Sequence, residues 1–283
     1  SSGAYMAVQF HISHSKAVNG SAIFAGGPFY CAESNLEFAQ HKCMDNEMGF
    51  PNVGSLVALT REDYLLGFVD NPDTHLKHNK VYLFSGKDDS VVKPPVVKAL
   101  YDYYSAFVAP SNIVAEFNEA AEHCLPTLDY GVECDTLASP YLGKCNFDGA
   151  EHAFRQLYGA DTDMAGGGFQ AALTQDERTS TWLDSNLFAF DQTEYFLNDG
   201  LNSIGDVGYI YIPTNCQNGA KQCSLHVSFH GCEQNLELIG NEYAKNAGFN
   251  VYAEKNDIVV LYPYVKVSEL VPYNPKGCWD WWA

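Results

Sequence analysis

The sequence predicts an α/β fold, a mostly parallel sheet flanked by helices. Short apolar runs rich in β-branched and aromatic residues recur along the chain, and they alternate with longer stretches of helical spacing. The length of 283 residues and the 46% hydrophobic content supply enough material for a substantial core. No internal repeat or low-complexity tract interrupts the pattern.

Residues 3–14 read as a helix that opens on small and apolar side chains. "SAIFAGG" (21–27) reads as a short buried strand, and "CAESNLEFAQHKC" (31–43) as a disulfide-sized loop with helical character. "TREDYLLGFVD" (60–70) begins with Thr and acids, a helix N-terminus. "KVYLFSGKDDSVV" (80–92) is a strand entering a polar turn, and "KPPVVKALYDYYSAFV" (93–108) is a helix with prolines in its first turn. "NIVAEF" (112–117) is a further strand, and "GAEHAFRQLYG" (149–159) is a helix stopped by glycine. The Gly-rich stretch 159–204 reads as a linker or a surface insertion. Strands resume at 208–213, 225–231 and 258–264, and residues 235–256 are helical with interruptions at Gly240 and Gly248.

The net charge of −19, with only 16 basic residues, argues against a nucleic-acid partner, whose phosphates call for Lys and Arg. It also disfavours an anionic membrane surface, and no apolar run is long enough for a transmembrane helix. A neutral or polymeric substrate fits better. The nine cysteines include the close pairs Cys31 with Cys43, Cys134 with Cys145 and Cys216 with Cys223, none in a C-x-x-C pattern. A disulfide framework in an oxidising compartment is expected, hence an extracellular protein. Residue 1 is not Met and starts no signal-peptide core, so a cleaved leader or a fragment is expected.

Several segments carry chemistry. "SSGAYMAVQ" opens with Ser-x-Gly followed at once by a helix, the second half of a Gly-x-Ser-x-Gly nucleophile elbow. This reading makes Ser1 the nucleophile and the Ser2 N–H an oxyanion donor; the plain alternative is a solvated terminus that contains serines. "SGKDDSVV" has Gly-x-x-Asp spacing after a strand, which selects Asp89 over its neighbour Asp88 as an acid that orients an imidazole. An ordinary acidic turn is the alternative. His123, in "AAEHCLPT" after strand 112–117, completes the chain order Ser, Asp, His. "LHVSFHGCEQN" (225–235) is a strand ending in a His-Gly turn before a helix, a pattern suited to an oxyanion hole through the Cys232 N–H, with His230 shaping the turn. In an ordinary α/β hydrolase this strand precedes the nucleophile. Its position late in the chain implies circular permutation, which neighbouring termini make feasible.

With these blocks, and with "IFAGGPFYCA", "SPYLGKCNFDGA", "GFNVYAEKNDIVVLYP" and "NPKGCWDWW", the chain resembles the single-domain, circularly permuted α/β-hydrolase type of extracellular polyhydroxyalkanoate depolymerases. The resemblance spans nearly the whole chain and implies one catalytic domain over residues 1–283. By resemblance Ser1 is the nucleophile, Asp89 the acid and His123 the base, and the N–H groups of Ser2 and Cys232 look like the oxyanion hole. Trp281 looks like an aromatic at the substrate crevice, where Trp279 and Trp282 add apolar surface; core packing is the alternative for all of them.

The family pattern further implies disulfides Cys31–Cys43, Cys134–Cys145, Cys216–Cys223 and Cys232–Cys278. That leaves Cys124 outside the pairs, as a buried small hydrophobe or a reactive thiol. The family also has an elbow strand before the serine and a helix after "CWDWW", so a fragment incomplete at both ends is expected. The implied reaction is hydrolysis of an insoluble polyester or its oligomers by a monomer, without metal or cofactor. A feruloyl or acetylxylan type of carboxylesterase on the same frame, or a polymer-binding relic, are the rival readings.

Overall fold

Strands and helices alternate along the chain as expected, giving a mixed α/β fold with parallel strands flanked by helices. The structure, a computed structural model, describes residues 1–159, 168–171, 177–178, 182, 184–197, 200, 202–219 and 221–282. The chain divides into two compact units. One comprises Ser1–Cys124, Glu133–Leu137 and Trp279–Ala283, the other Leu125–Val132 and Ala138–Cys278.

In the first unit α1 (Ser2–Ser13) leads into β1 (Gly20–Phe24), followed by α2 (Leu36–His41), α3 (Val53–Leu66), α4 (Pro72–His75), β2 (Lys80–Phe84), α5 (Pro94–Ser105) and β3 (Ile113–Glu116). The strands form a parallel sheet in the order β1-β2-β3. Central β2 buries Val81, Tyr82, Leu83 and Phe84 without alternation, because both faces of a parallel sheet are covered. Helix α1 packs on β1, and α5 on β2 and β3. The core between them gathers Val8, Ile12, Ile23, Leu83, Val97 and Leu100, each burial contributing roughly 1.5–3 kcal/mol.

Helices α1 and α5 follow the sequence, whereas α3 starts earlier than expected and α4 was not expected. Helix α5 starts on Pro94 in its first turn, as expected. Helix α3 starts at Val53, ahead of the expected start at Thr60, because Asn52 caps it by accepting the Ser55 N–H at 3.1 Å. Thr60 is buried in mid-helix, donating to the Leu56 carbonyl at 2.8 Å and lying 2.7 Å from the Tyr103 hydroxyl. The helix ends at Gly67, whose φ of 82° is left-handed and favours glycine. Buried His11 accepts from Asn79 Nδ2 at 3.1 Å on Nε2, so its Nδ1 donates to the Tyr104 hydroxyl at 2.9 Å.

The Cys31–Cys43 disulfide forms as expected, with a Cα–Cα distance of 6.0 Å, and Cys134 is also disulfide-bonded. The Tyr5 hydroxyl donates to the Cys43 carbonyl, tying α1 to that bridged loop. Replacing both Cys31 and Cys43 with alanine is expected to lower the unfolding free energy by about 3 kcal/mol, since the closed loop constrains the unfolded chain. A lower urea midpoint, with an m-value that rises as the unfolded chain expands, measures it.

The chain continues through β4 (Leu125–Thr127), β5 (Val132–Glu133), β6 (Leu142–Lys144), α6 (Gly149–Tyr158), β7 (Leu187–Asp191), β8 (Val207–Tyr211) and β9 (Ser224–Val227). Then come α7 (Leu236–Ile239), α8 (Glu242–Asn246), α9 (Phe249–Asn256) and β10 (Ile258–Tyr262). In the second unit the main sheet has the order β7-β8-β10-β9. Strands β7 and β8 pair antiparallel, as do β8 and β10, while β10 runs parallel to β9. A parallel neighbour needs a long crossover, which α7–α9 supply between β9 and β10.

The expected interruptions at Gly240 and Gly248 divide that crossover, both glycines having positive φ. The strand before the His230-Gly231-Cys232 turn lies in the sheet that the chain traverses late, the order that permutation requires. Much of the stretch 159–204 lies outside the described residues, but Leu187–Asp191 forms an edge strand there. Disulfides Cys216–Cys223 and Cys232–Cys278 are present, and Cys145 is disulfide-bonded. Among the described residues no helix is long and apolar enough to cross a membrane.

Candidate active site

Asp89 lies in the turn that follows β2, and its side chain is almost wholly buried. Its Oδ1 accepts the N–H groups of Val91 at 2.9 Å and Val92 at 2.8 Å, which folds the turn around the carboxylate. Its Oδ2 meets His123 Nδ1 at 2.9 Å. Burial alone would raise this carboxyl, but the His123 hydrogen bond and charge and the Val92 N–H hold it below the usual range. Asp89 is thus an acceptor, and His123 Nδ1 carries the proton. That tautomer leaves Nε2 as the basic nitrogen.

His123 follows β3, in a segment that lies directly against the Asp89 turn. The N–H of Lys87 donates to the Glu119 carbonyl at 2.8 Å, and that of Asp88 to the Ala121 carbonyl at 3.1 Å. Position 86 must be glycine for this approach, since a Cβ there would lie 2.3 Å from the Ala121 oxygen. Glu122 Oε1 accepts the N–H groups of Ser90 at 2.6 Å and His123 at 2.8 Å. The sequence marks Gly86 only as the residue that spaces Asp89, and no motif marks Glu122. The one available signal was a carboxylate directly before the candidate base.

Ser1 stands at the N-cap of α1, yet its hydroxyl makes no capping bond, so the oxygen is not consumed by the helix. Its nitrogen bonds to the Ala25 carbonyl. Among the described residues no hydrogen bond joins the Ser1 hydroxyl to His123. Such contacts are often long before substrate arrives. Ser2 is buried, and its Oγ accepts the Trp279 N–H at 3.2 Å. Its backbone N–H, in the first turn of α1, has no intrahelical acceptor.

Trp281 is 7% exposed and stacks on Tyr5 with ring centroids 3.8 Å apart. Trp282 meets its edge at 6.1 Å, and Trp279 is buried. Trp281→Ala is therefore expected to cost about 3–5 kcal/mol of stability, measured by chemical denaturation. Cys124 is buried, and burial, reinforced by the Asp89 and Glu122 charges, pushes its thiol up to about 12. A thiol held protonated at neutral pH acts as a small hydrophobe rather than a nucleophile. His41, Asp45 and Glu47 bring three ligand-type atoms within 4.8 Å of one another, but half-buried His41, the last residue of α2, and Asp45 already pair at 2.9 Å.

Cys232 belongs to the second unit, where the Cys232–Cys278 bridge restrains its turn. Buried His230 accepts the Val265 N–H at 3.2 Å on Nε2 and donates from Nδ1 to the Gly231 carbonyl at 2.7 Å. The Gly231 N–H donates to Gln234 Oε1 at 2.6 Å. Among the described residues no group accepts the Cys232 N–H. His230 therefore shapes the turn, as its place before a glycine suggests.

No known protein-family model matches the chain. A poly(3-hydroxybutyrate) depolymerase of Delftia acidovorans is 39% identical over 286 residues, which cover 100% of this chain and 53% of that protein. A polyhydroxybutyrate depolymerase of Talaromyces funiculosus is 31% identical over 99% of this chain and 79% of that protein. The chain thus spans about half the length of the first relative and most of the second. A solved structure of a serine-to-alanine variant of PHB depolymerase, complexed with an R3HB trimer, matches with a TM-score of 0.81 and 30% identity over 99% of this chain and 85% of that one. Full coverage of this chain, with sequence and fold in agreement, means that the chain belongs to the polyhydroxybutyrate depolymerase family.

Proposed function

We propose that the protein is an extracellular serine esterase that hydrolyses poly(3-hydroxybutyrate) and its oligomers. The observation that carries this is the Asp89–His123 hydrogen bond, which presents a basic Nε2 beside a buried carboxylate. In the proposed reaction Nε2 takes the proton from Ser1 Oγ as that oxygen attacks the ester carbonyl. The Ser2 N–H holds the oxyanion; Cys232 is assigned the matching role on the family resemblance. The tetrahedral species collapses, the imidazolium protonates the leaving alkoxide, and an acyl-enzyme remains. Water, deprotonated by His123, then releases the hydroxyacid unit and restores Ser1.

The printed ligand of the related structure, an R3HB trimer, supports a polyester oligomer as substrate. Disulfides support secretion, since they persist in oxidising compartments. Trp281 is proposed to bound the substrate crevice while packed on Tyr5. The enzyme is proposed to act as a monomer, without nucleic acid or membrane. The test is release of soluble 3-hydroxybutyrate from polyhydroxybutyrate granules, with feruloyl and acetyl esters run in parallel. Granule clearing is expected. Preferential release of ferulate or acetate would establish the carboxylesterase reading instead, and adsorption to granules without hydrolysis would establish the relic.

A further inference from the structure

We infer that Glu122 is a positioning residue that locks the Asp89 turn to the His123 segment through one carboxylate oxygen, and so sets the geometry of the Asp89–His123 pair. This rests on the triad reading above. Glu122 Oε1 accepts two backbone N–H groups from segments far apart in sequence, Ser90 at 2.6 Å and His123 at 2.8 Å. Each donor is placed so that the bond controls the pair: Ser90 directly follows Asp89, and the other N–H is that of His123 itself. The Glu122 N–H in turn donates to the Cys134 carbonyl at 2.8 Å, which anchors the staple.

The N–H groups of Ser90, Val91 and Val92 are consecutive and all face carboxylates. Glu122 takes the first, and Asp89 Oδ1 takes the other two at 2.9 and 2.8 Å. Two acidic side chains thus divide one turn between them, and each also reaches His123, one through the ring and one through the backbone. Without the Glu122 oxygen, the Ser90 and His123 N–H groups must find water. The two segments would then be joined chiefly by the backbone bonds at Lys87 and Asp88, which lie on the far side of Asp89 from Ser90. The imidazole would lose its fixed distance from the carboxylate. Small misplacements of reacting groups are costly in rate, and they act on kcat rather than on substrate binding.

The staple is geometric, so a conservative pair separates it from charge. Glu122→Gln keeps an oxygen at the same reach and removes the charge; Glu122→Asp keeps the charge and withdraws the oxygen by one methylene. With p-nitrophenyl butyrate as the probe, Glu122→Ala and Glu122→Asp are expected to lower kcat by about 10–100-fold with KM within about twofold, while Glu122→Gln retains most of kcat. The downfield Nδ1–H proton resonance of His123 is expected to persist in the Gln variant and to broaden or vanish in the Asp variant. Wild-type kcat in both Glu122→Asp and Glu122→Ala, or a Gln variant as impaired as the Asp variant, overturns the inference. If Glu122→Ala does not fold, the Gln and Asp variants decide it. If His123→Ala leaves hydrolysis intact, the triad reading itself fails; if His123→Ala abolishes hydrolysis but the Glu122 variants do not impair it, only this inference fails.

Discussion

His123→Ala is expected to lower kcat for p-nitrophenyl butyrate by about 10⁵–10⁶-fold, and Asp89→Asn by about 10⁴-fold, with the fold retained in both. In the proposed reaction, loss of the imidazole leaves Ser1 Oγ with no group to take its proton, and the hydroxyl is a poor nucleophile at neutral pH. Asp89→Asn fails for a different reason. The asparagine amide can turn its NH₂ toward Nδ1, which makes Nδ1 an acceptor and moves the ring proton to Nε2, the nitrogen that must be basic. The Val91 and Val92 N–H groups still find the amide oxygen, so the turn should keep its shape. Steady-state kinetics, with circular dichroism as the control for folding, checks both. Wild-type turnover in either variant contradicts the assignment of that residue.

The second large effect is on acid stability. Burial lowers His11 to about 3, and His226 and His230 to about 4 each. Their unfolded value is about 6.5, so the unfolded chain binds protons that the folded protein rejects. Because the folded value is the lower one, the stabilisation from keeping these rings neutral is complete above about pH 6.5 and declines as pH falls toward about 4. Asp89 acts in the same direction at lower pH, because its carboxyl is also held down in the folded state.

For the three histidines together the slope approaches about 4 kcal/mol per pH unit near pH 5. Urea midpoints are therefore expected to fall steeply between about pH 6.5 and pH 4.5. His11→Gln should flatten the slope by about one proton, though it also loosens the Asn79 and Tyr104 contacts. A stability that stays level across this window contradicts the burial of these rings as neutral groups.

Much of this was legible in sequence, and the exceptions have physical causes. Helices with strong end signals were found, such as α5 with its leading prolines and α6 before its glycine. The expected start of α3 falls too late because Thr60 with two acids imitates a cap, whereas Asn52 holds the true one. Strand β7 escaped notice because an edge strand with exposed positions shows little buried alternation. Asp89 could be read from its spacing to Gly86, and His123 from chain order. Glu122 could not, because its partners are backbone N–H groups, one of them on a distant segment, and no residue pattern encodes that. Trp281 reads equally as a substrate contact or as core, and its stacking on Tyr5 depends on the folded chain.

The Ser1 hydroxyl is proposed to be a nucleophile activated by the Asp89–His123 pair. A serine-directed alkyl phosphonate, followed by peptide mass spectrometry, tests it most directly. One adduct per chain is expected on Ser1, with loss of ester hydrolysis in step with labelling and no labelling in the His123→Ala protein. Hydrolysis that survives the reagent, or an adduct on a different serine that tracks the lost activity, would contradict it.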